Sequence, residues 1–154
     1  SALERVVDEE SDRRVRLAAI EALGNIEDPA SVEVLARVVA SGDRELALAA
    51  VEAIGDLDDL YRAPAALIRA ASSPDRELRR AAVWALESIE DPASVPAMLS
   101  VIDDPDPEIR RAAIEMLGEV GALEAKAAIT RALEDRDPEV RMAAIEALAE
   151  LEDR

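Results

Sequence analysis

A nine-residue pattern recurs five times along this chain at a nearly constant interval, and it restricts the possible folds more than any other feature. Each copy starts with an apolar residue, has Arg next in four copies, and continues with an Ala-Ala pair and apolar residues at helical spacing. The copies begin at Val15, Leu46, Leu78, Ile109 and Val140, so they lie 31, 32, 31 and 31 residues apart. Such a period is typical of solenoids, in which stacked units bury apolar faces that one unit cannot bury alone.

Each copy is preceded by a helix start signal. An aspartate lies three residues before every copy: Asp12, Asp43, Asp75, Asp106 and Asp137. A proline follows the aspartate in two copies, as Pro107 and Pro138. An N-cap Asp accepts a hydrogen bond from an unpaired backbone N–H, and Pro fits the first helical position. The pattern therefore predicts five helices, here called A helices. Three of them have a glycine near the expected end, which favours a glycine C-cap: Gly24, Gly55 and Gly118.

A second helix, here called a B helix, is predicted between successive A helices, because apolar residues there recur on one helical face. A short leading B helix is expected at residues 2–7, and the last A helix at residues 138–151. The predicted fold is all-α, an α-solenoid of stacked antiparallel helix pairs with about ten helices. It forms one domain over residues 1–154.

One apolar column lies off the main core stripe of the A helices and is predicted to seal each repeat against its neighbour. Its members are Ile20, Val51, Val83, Ile114 and Ile145. No B helix follows the last A helix, so its face of Ala144, Leu148 and Leu151 is expected to be partly uncovered. Such a face would allow an end-to-end homodimer.

The composition excludes several classes of function. The 154 residues include no His and no Cys, which removes the usual general base, the thiol nucleophile and thiolate metal sites. We therefore expect a protein that is not an enzyme and has no cofactor. The net charge of −17 argues against nucleic acid and anionic membranes as partners. No segment has the character of a membrane span or a signal peptide, which predicts a cytoplasmic protein.

Acidic loops are the remaining candidates for metal binding. They contain Asp56, Asp58 and Asp59, and then Asp103, Asp104 and Asp106. Alternating acids can bind Ca²⁺, but these loops lack the glycine turn and the closing Glu of an EF-hand. Helix capping and loop solvation already explain them, so no metal site is predicted.

Two segments closely resemble the HEAT-like repeats of bilin-lyase-type proteins: residues 91–99, DPASVPAML, and residues 104–113, DPDPEIRRAA. The resemblance covers nearly the whole chain, implies an α-solenoid and says little about activity. In that family an Asp and the Arg six residues later commonly form a ladder along the stack. The resemblance places Asp104 with Arg110 and Asp135 with Arg141, while the other copies depart from the pattern.

The resemblance also implies that the B helices line the concave surface of the array. Opposite the core stripe of these helices, one column holds small residues: Val34, Ala66, Ala97 and Ala128. The next column is mostly basic: Arg37, Arg69, Ser100 and Arg131. A concave groove with this lining would hold a protein or peptide partner of acidic character, with Arg gripping carboxylates. Alternatively, these arginines pair locally, as Arg131 would with Asp135 at i, i+4.

Trp84 is predicted to be exposed, because the same position holds Glu in the other four repeats. Arg80 lies one helical turn before it, where a cation–π contact is expected. On the convex side, these two residues would form a contact patch for a partner. The alternative is that the tryptophan has no role in binding.

These features favour a non-catalytic repeat scaffold that binds a polypeptide in its concave groove. A designed structural repeat protein without a natural ligand is an alternative, because the capping is regular and His, Cys and Phe are absent. A bilin-lyase-type subunit is a more remote alternative that rests on the family analogy alone.

Overall fold

Ten α-helices stack in two layers in the computed structural model, which describes residues 1–26, 28–57 and 60–153. The A helices are α2 (Arg13–Asn25), α4 (Arg44–Gly55), α6 (Arg76–Ile89), α8 (Pro107–Glu119) and α10 (Pro138–Glu152). The B helices are α1 (Ala2–Glu9), α3 (Val32–Val39), α5 (Ala65–Ala70), α7 (Val95–Val101) and α9 (Lys126–Ala132). Short 3₁₀ turns at Pro29–Ser31, Pro92–Ser94 and Leu123–Ala125 lead into α3, α7 and α9. The predicted all-helical solenoid is confirmed.

All five predicted aspartate caps form. The side chains of Asp12, Asp43, Asp75, Asp106 and Asp137 each accept a hydrogen bond from a backbone N–H in the first turn of an A helix. The Asp106 carboxylate, for example, accepts from the Glu108 N–H at 3.0 Å. These caps fix where every A helix starts, and hence the register of the whole stack.

The apolar column that was predicted to seal the repeats does so in four of its five members. Ile20, Val51, Val83 and Ile114 are fully buried between successive A helices. Ile145 is 59% exposed, since no described helix covers that side of α10. The uncovered face of α10 therefore differs from the expected one, because Ala144 and Leu151 are buried.

The glycines near the ends of A helices serve close packing. A Cβ on Gly24 would lie 3.0 Å from the Cα of Ala53, and one on Gly118 would lie 2.7 Å from the Cβ of Ala147. Neither position has the positive φ of a glycine C-cap; among the described residues, Gly42 and Gly121 are the glycines that do. The expected role as caps is therefore wrong. These glycines let neighbouring A helices approach backbone to backbone.

Ion pairs connect each repeat to the next along one edge of the A helices. In the first three A helices, the first residue is an Arg that pairs with the capping Asp of the following A helix: Arg13 with Asp43, Arg44 with Asp75 and Arg76 with Asp106. In α8 and α10 a proline occupies that first position. A second, inward connection begins in α6, where Arg79 is bonded to Asp104 at 2.7 Å, and it continues in α8, where Arg110 is bonded to Asp135 at 2.8 Å.

The ladder implied by the family resemblance therefore runs between repeats. The Arg110 Nη1 donates to the backbone carbonyl of Asp104 at 2.8 Å, and Arg141 donates to that of Asp135 at 2.7 Å. The carboxylates of these aspartates instead accept from the arginine of the preceding repeat. Because Asp135 pairs with Arg110, the alternative pairing of Asp135 with Arg131 is wrong.

The close approach at Gly118 predicts a graded cost of added methyl groups. Gly118→Ala should destabilise the protein by about 1–2 kcal/mol, because the new Cβ overlaps Ala147 and forces α8 and α10 apart. Gly55→Ala is the matched control: its Cβ would meet Ala85 at 3.2 Å, and both variants share the gain in helix propensity. Urea unfolding followed by circular dichroism measures the difference. Equal stability of the two variants would contradict the packing role.

The inward ion pair predicts a large cost of truncation. Arg110 is only 5% exposed, so Arg110→Ala should lower the free energy of unfolding by about 3 kcal/mol by leaving Asp135 without its countercharge. Arg44→Ala is the control, since its side chain is 56% exposed and solvent screens its ion pairs, so its loss should cost much less. Urea unfolding at neutral pH compares the two. If Arg110→Ala lowered the free energy of unfolding no more than Arg44→Ala, burial would not determine the strength of these ion pairs.

Candidate polypeptide-binding surfaces

The two layers of helices differ in spacing, which determines the direction in which the array curves. Three of the four pairs of neighbouring A helices pack closely through a Gly and an Ala, whereas α5, α7 and α9 make few close backbone approaches to one another. A stack bends toward the layer with the shorter spacing. We infer that the concave side is formed by the A helices, which reverses the expectation that the B helices line it.

The predicted surface on the B helices is only partly present. Arg37, Arg69, Ser100 and Arg131 are exposed, as expected. In the small-residue column, Ala66, Ala97 and Ala128 are half-buried, but Val34 is 6% exposed and belongs to the core. Arg37 pairs with Asp8 of the neighbouring B helix at 2.9 Å. An acidic partner on this surface stays a prediction, without Val34 as a contact.

A groove crosses the A layer between α4 and α6. Its floor and walls include Leu48, Gly55, Ala81, Trp84 and Ala85. Trp84 is 41% exposed, as expected from its position among glutamates in the other repeats. The guanidinium of Arg80 lies over its ring, 4.2 Å from the centroid, which confirms the expected cation–π contact. The pair thus lines a groove in the A layer.

A second, acidic cleft lies on the same face between α6, α8 and α10. Five glutamates line it: Glu87, Glu115, Glu119, Glu146 and Glu150. Burial, then the Glu115 carboxylate, raises the pKa of Glu87 to about 7, while Arg111 opposes the shift. Burial, then Glu90, Glu150 and Glu115, raises the pKa of Glu119. The A layer therefore presents concentrated negative charge beside the tryptophan groove.

Glu87 was missed by the reasoning from sequence, although its signal was present. It takes the position that Gly24, Gly55 and Gly118 hold in three other repeats. A carboxylate at a position of close helix approach is partly desolvated, which accounts for its raised pKa. Comparing the repeats position by position would have identified it.

The described residues of the acidic loops contain no metal site. Within residues 1–26, 28–57 and 60–153, no group of acidic side chains is arranged to hold a metal ion. Asp104 and Asp106 are engaged by Arg79 and Arg76, whereas Asp58 and Asp59 lie outside the described residues. In the same described ranges, no helix has the length and apolar character needed to cross a bilayer.

The raised pKa of Glu87 predicts a stability that falls as the pH rises. A carboxyl whose pKa is raised in the folded state contributes fully below its ordinary value of 4.5, and this contribution is lost as the pH rises to about 7. Glu87→Gln should therefore stabilise the protein at pH 8 by about 1 kcal/mol, after allowance for solvent screening, and have little effect at pH 4.5. Urea unfolding at both pH values tests this, with the exposed Glu124→Gln as control. A pH-independent effect would contradict it.

Comparison with known proteins agrees with this architecture. Among solved structures, similar ones include an engineered protein, with 21% identity, a TM-score of 0.78 and coverage of 98% of this chain and 79% of that chain. The complex of CpcE and CpcF of phycocyanin lyase from Nostoc sp. PCC7120 matches at 26% identity and a TM-score of 0.79. That match covers 99% of this chain and 64% of that chain. A designed armadillo repeat protein in complex with the peptide (KR)4 matches at 17% identity and a TM-score of 0.72, covering 97% and 80% of the two chains.

Curated proteins provide no match to this sequence. The sequence pattern of HEAT repeats, in contrast, matches three overlapping segments, residues 1–55, 37–104 and 95–154. Together these segments account for the full length and agree with the five repeats of the structure. The chain therefore belongs to the HEAT-repeat family.

Proposed function

We propose that this chain is a non-catalytic scaffold that binds a polypeptide along its concave surface. The observation that carries the proposal is the groove between α4 and α6, which crosses two repeats and exposes Trp84. Extended concave surfaces are the usual binding sites of solenoids, and exposed tryptophans are frequent anchors of interfaces.

The chemistry of the chain supports binding without catalysis. With no His and no Cys, proton transfer and nucleophilic attack would have to rely on carboxylates, Ser, Tyr or Lys. The acidic cleft gathers five glutamates, and its lining includes no hydroxyl or amine side chain. Such a surface can attract a charged partner, but it lacks the parts of a reaction centre.

Two surfaces compete for the partner and carry opposite charge. The A layer is acidic around the tryptophan groove, whereas the B layer exposes Arg37, Arg69 and Arg131. The inferred curvature favours the A layer. The B layer lacks an exposed aromatic residue among the positions predicted to bind, and one of its arginines is already paired.

Reversal of charge on each surface tests the proposal. Binding of two fluorescein-labelled peptide pools, one rich in Lys and Arg and one rich in Asp and Glu, is measured by anisotropy. The A-layer variant carries Glu21→Lys, Glu52→Lys and Glu146→Lys, and the B-layer variant carries Arg37→Glu, Arg69→Glu and Arg131→Glu. A third variant with Glu33→Lys, Glu124→Lys and Glu134→Lys matches the charge change of the first outside the A layer.

We expect one pool to bind the unchanged protein and to lose at least tenfold in affinity with the A-layer variant only. Circular dichroism confirms that all variants are folded. If binding were instead lost with the B-layer variant, the scaffold function would stay supported and the binding site would lie on the B layer. No binding of either pool, or binding that no variant changes, would contradict the proposed function.

A second candidate is favoured by one similarity. The phycocyanin lyase complex matches 99% of this chain, which keeps a bilin-lyase-type subunit under consideration. A spectral shift of an added bilin would support it.

A designed structural repeat without a ligand is the remaining hypothesis. The similar engineered protein has the same fold as this chain. The end-to-end homodimer predicted for the face of Ala144, Leu148 and Leu151 also stays a prediction, although Ala144 and Leu151 are buried.

A further inference from the structure

We infer that the partner is a cationic polypeptide segment that inserts one apolar side chain into the groove beside Trp84. This inference rests on the proposed function and specifies its partner. It follows from three features of the A layer: the shape of the groove, the fixed position of the tryptophan and the unbalanced charge around both.

The groove is built to accept an apolar side chain. Gly55 and the alanines Ala81 and Ala85 leave its floor without bulky side chains, while Leu48 and Trp84 form opposite walls. Its volume of about 690 Å³ lies within the range of about 300–1000 Å³ that is usual for ligand clefts. The position of Leu48 is also apolar in two other repeats, as Leu17 and Met142, but Glu takes the position of Trp84 in all the other repeats, so a leucine facing a tryptophan occurs between the second and third repeats only.

Trp84 is held in position before any partner arrives. Arg80 stacks on the ring at 4.2 Å and is itself bonded to Glu108 of the following repeat. The indole is thus supported by an ion pair that spans two repeats. An aromatic side chain that is already ordered loses little entropy on binding, which makes it an efficient anchor.

The charge around the groove favours a cationic partner. Its lining includes three acids, Glu52, Asp56 and Glu77, and one base, Arg80. Glu77 is paired with Arg44 and Arg80 with Glu108, whereas Glu52 and Asp56 have no ion pair with any described residue. Charge at the rim is therefore left for lysine or arginine of a partner.

The acidic cleft extends this charge along the same face. It lies one to two repeats beyond the groove, between α6, α8 and α10. Adjacent packed helices are about 8–10 Å apart, and an extended chain advances about 3.3–3.6 Å per residue. Basic residues about three to six positions from the apolar side chain would therefore reach the acidic cleft.

Synthetic peptides of about 15 residues, extended enough to span these repeats, test the inference. The probe has a central leucine with lysine pairs on both sides at this spacing, in a Gly/Ser background. One control peptide replaces the leucine with glycine, and another replaces the lysines with glutamates. Because the chain contains one Trp, its fluorescence reports directly on the groove. Anisotropy of labelled peptides gives the affinity of variants that lack the tryptophan.

Trp84→Glu is the decisive variant, since four other repeats carry Glu at that position and tolerate it. Removal of the tryptophan should lower the affinity for the leucine–lysine probe at least tenfold and leave the affinity for the glycine control peptide unchanged. A purely electrostatic interaction would instead become tighter, because the variant adds an acid. Met142→Glu, which adds the same charge at another exposed apolar position, should leave the affinity unchanged within about twofold.

A second variant guards against a folding defect at Trp84. The double variant Glu52→Gln with Asp56→Asn should lower the affinity for the probe several-fold and reduce the salt dependence of binding. The tryptophan fluorescence should still change when the probe binds. The inference is overturned if the probe binds Trp84→Glu as well as the unchanged protein, or if the glutamate peptide perturbs Trp84 equally. Loss of binding only with the B-layer reversal would overturn this inference and retain the scaffold. If neither peptide pool of the earlier experiment bound the protein, both this inference and the proposed function would be contradicted.

Discussion

Close contact between neighbouring A helices, backbone against backbone, is the constraint from which the rest of this structure follows. Gly24 faces Ala53 and Gly118 faces Ala147 at distances that leave no room for another methyl group. These close approaches occur between A helices, and from them we infer that the A layer forms the concave surface. At Gly55 the same absence of a side chain also leaves the floor of the groove open beside Trp84. Packing and candidate function therefore depend on the same small residues.

The ion pairs follow the choice of the first helical residue. Where that residue is Arg, it reaches the capping Asp of the next repeat at the exposed edge. Where it is Pro, the helix start is preorganised, but the charge at that position is lost. The third repeat makes both kinds of ion pair, because Arg76 bonds to the capping Asp106 at the exposed edge and Arg79 bonds to the buried Asp104. Among the described residues, the fourth repeat makes only the buried kind, through Arg110. The array thus stays connected although its repeats use different residues.

Local rules were sufficient to predict the helices from the sequence. The five capping aspartates and the apolar spacing act within a few residues, and the structure confirms them. Features that depend on neighbouring repeats were predicted less well. Val34 was expected on the surface because one helical wheel cannot show what packs beside it, and Asp135 was matched to a partner in its own repeat. The exposure of Trp84 was predictable because the other repeats supplied a comparison.

The direction of curvature lay beyond these rules. The curvature depends on how the spacing of neighbouring A helices differs from the spacing of neighbouring B helices. Each spacing is determined by contacts between residues about one repeat apart. The glycines contained that information, but a glycine near a helix end is also the usual C-cap signal. Their φ values do not fit that cap, and the distances to Ala53, Ala85 and Ala147 show their close approach instead. The family resemblance assigned the concave surface to the B layer, whereas the close approaches at these glycines favour the A layer.

Glu87 has a consequence for how the array opens. At the junction of α6 and α8 it replaces the glycine of other repeats, and these two helices pack together less extensively than the other neighbouring A helices. In a linear array, stability is the sum of units and of the contacts between them. The weakest contact divides the chain into an amino-terminal and a carboxyl-terminal block that can exchange amide hydrogens at different rates. Because burial and the Glu115 carboxylate raise the pKa of Glu87, the charged form of this side chain weakens the junction further, so we expect a local opening to start there above neutral pH.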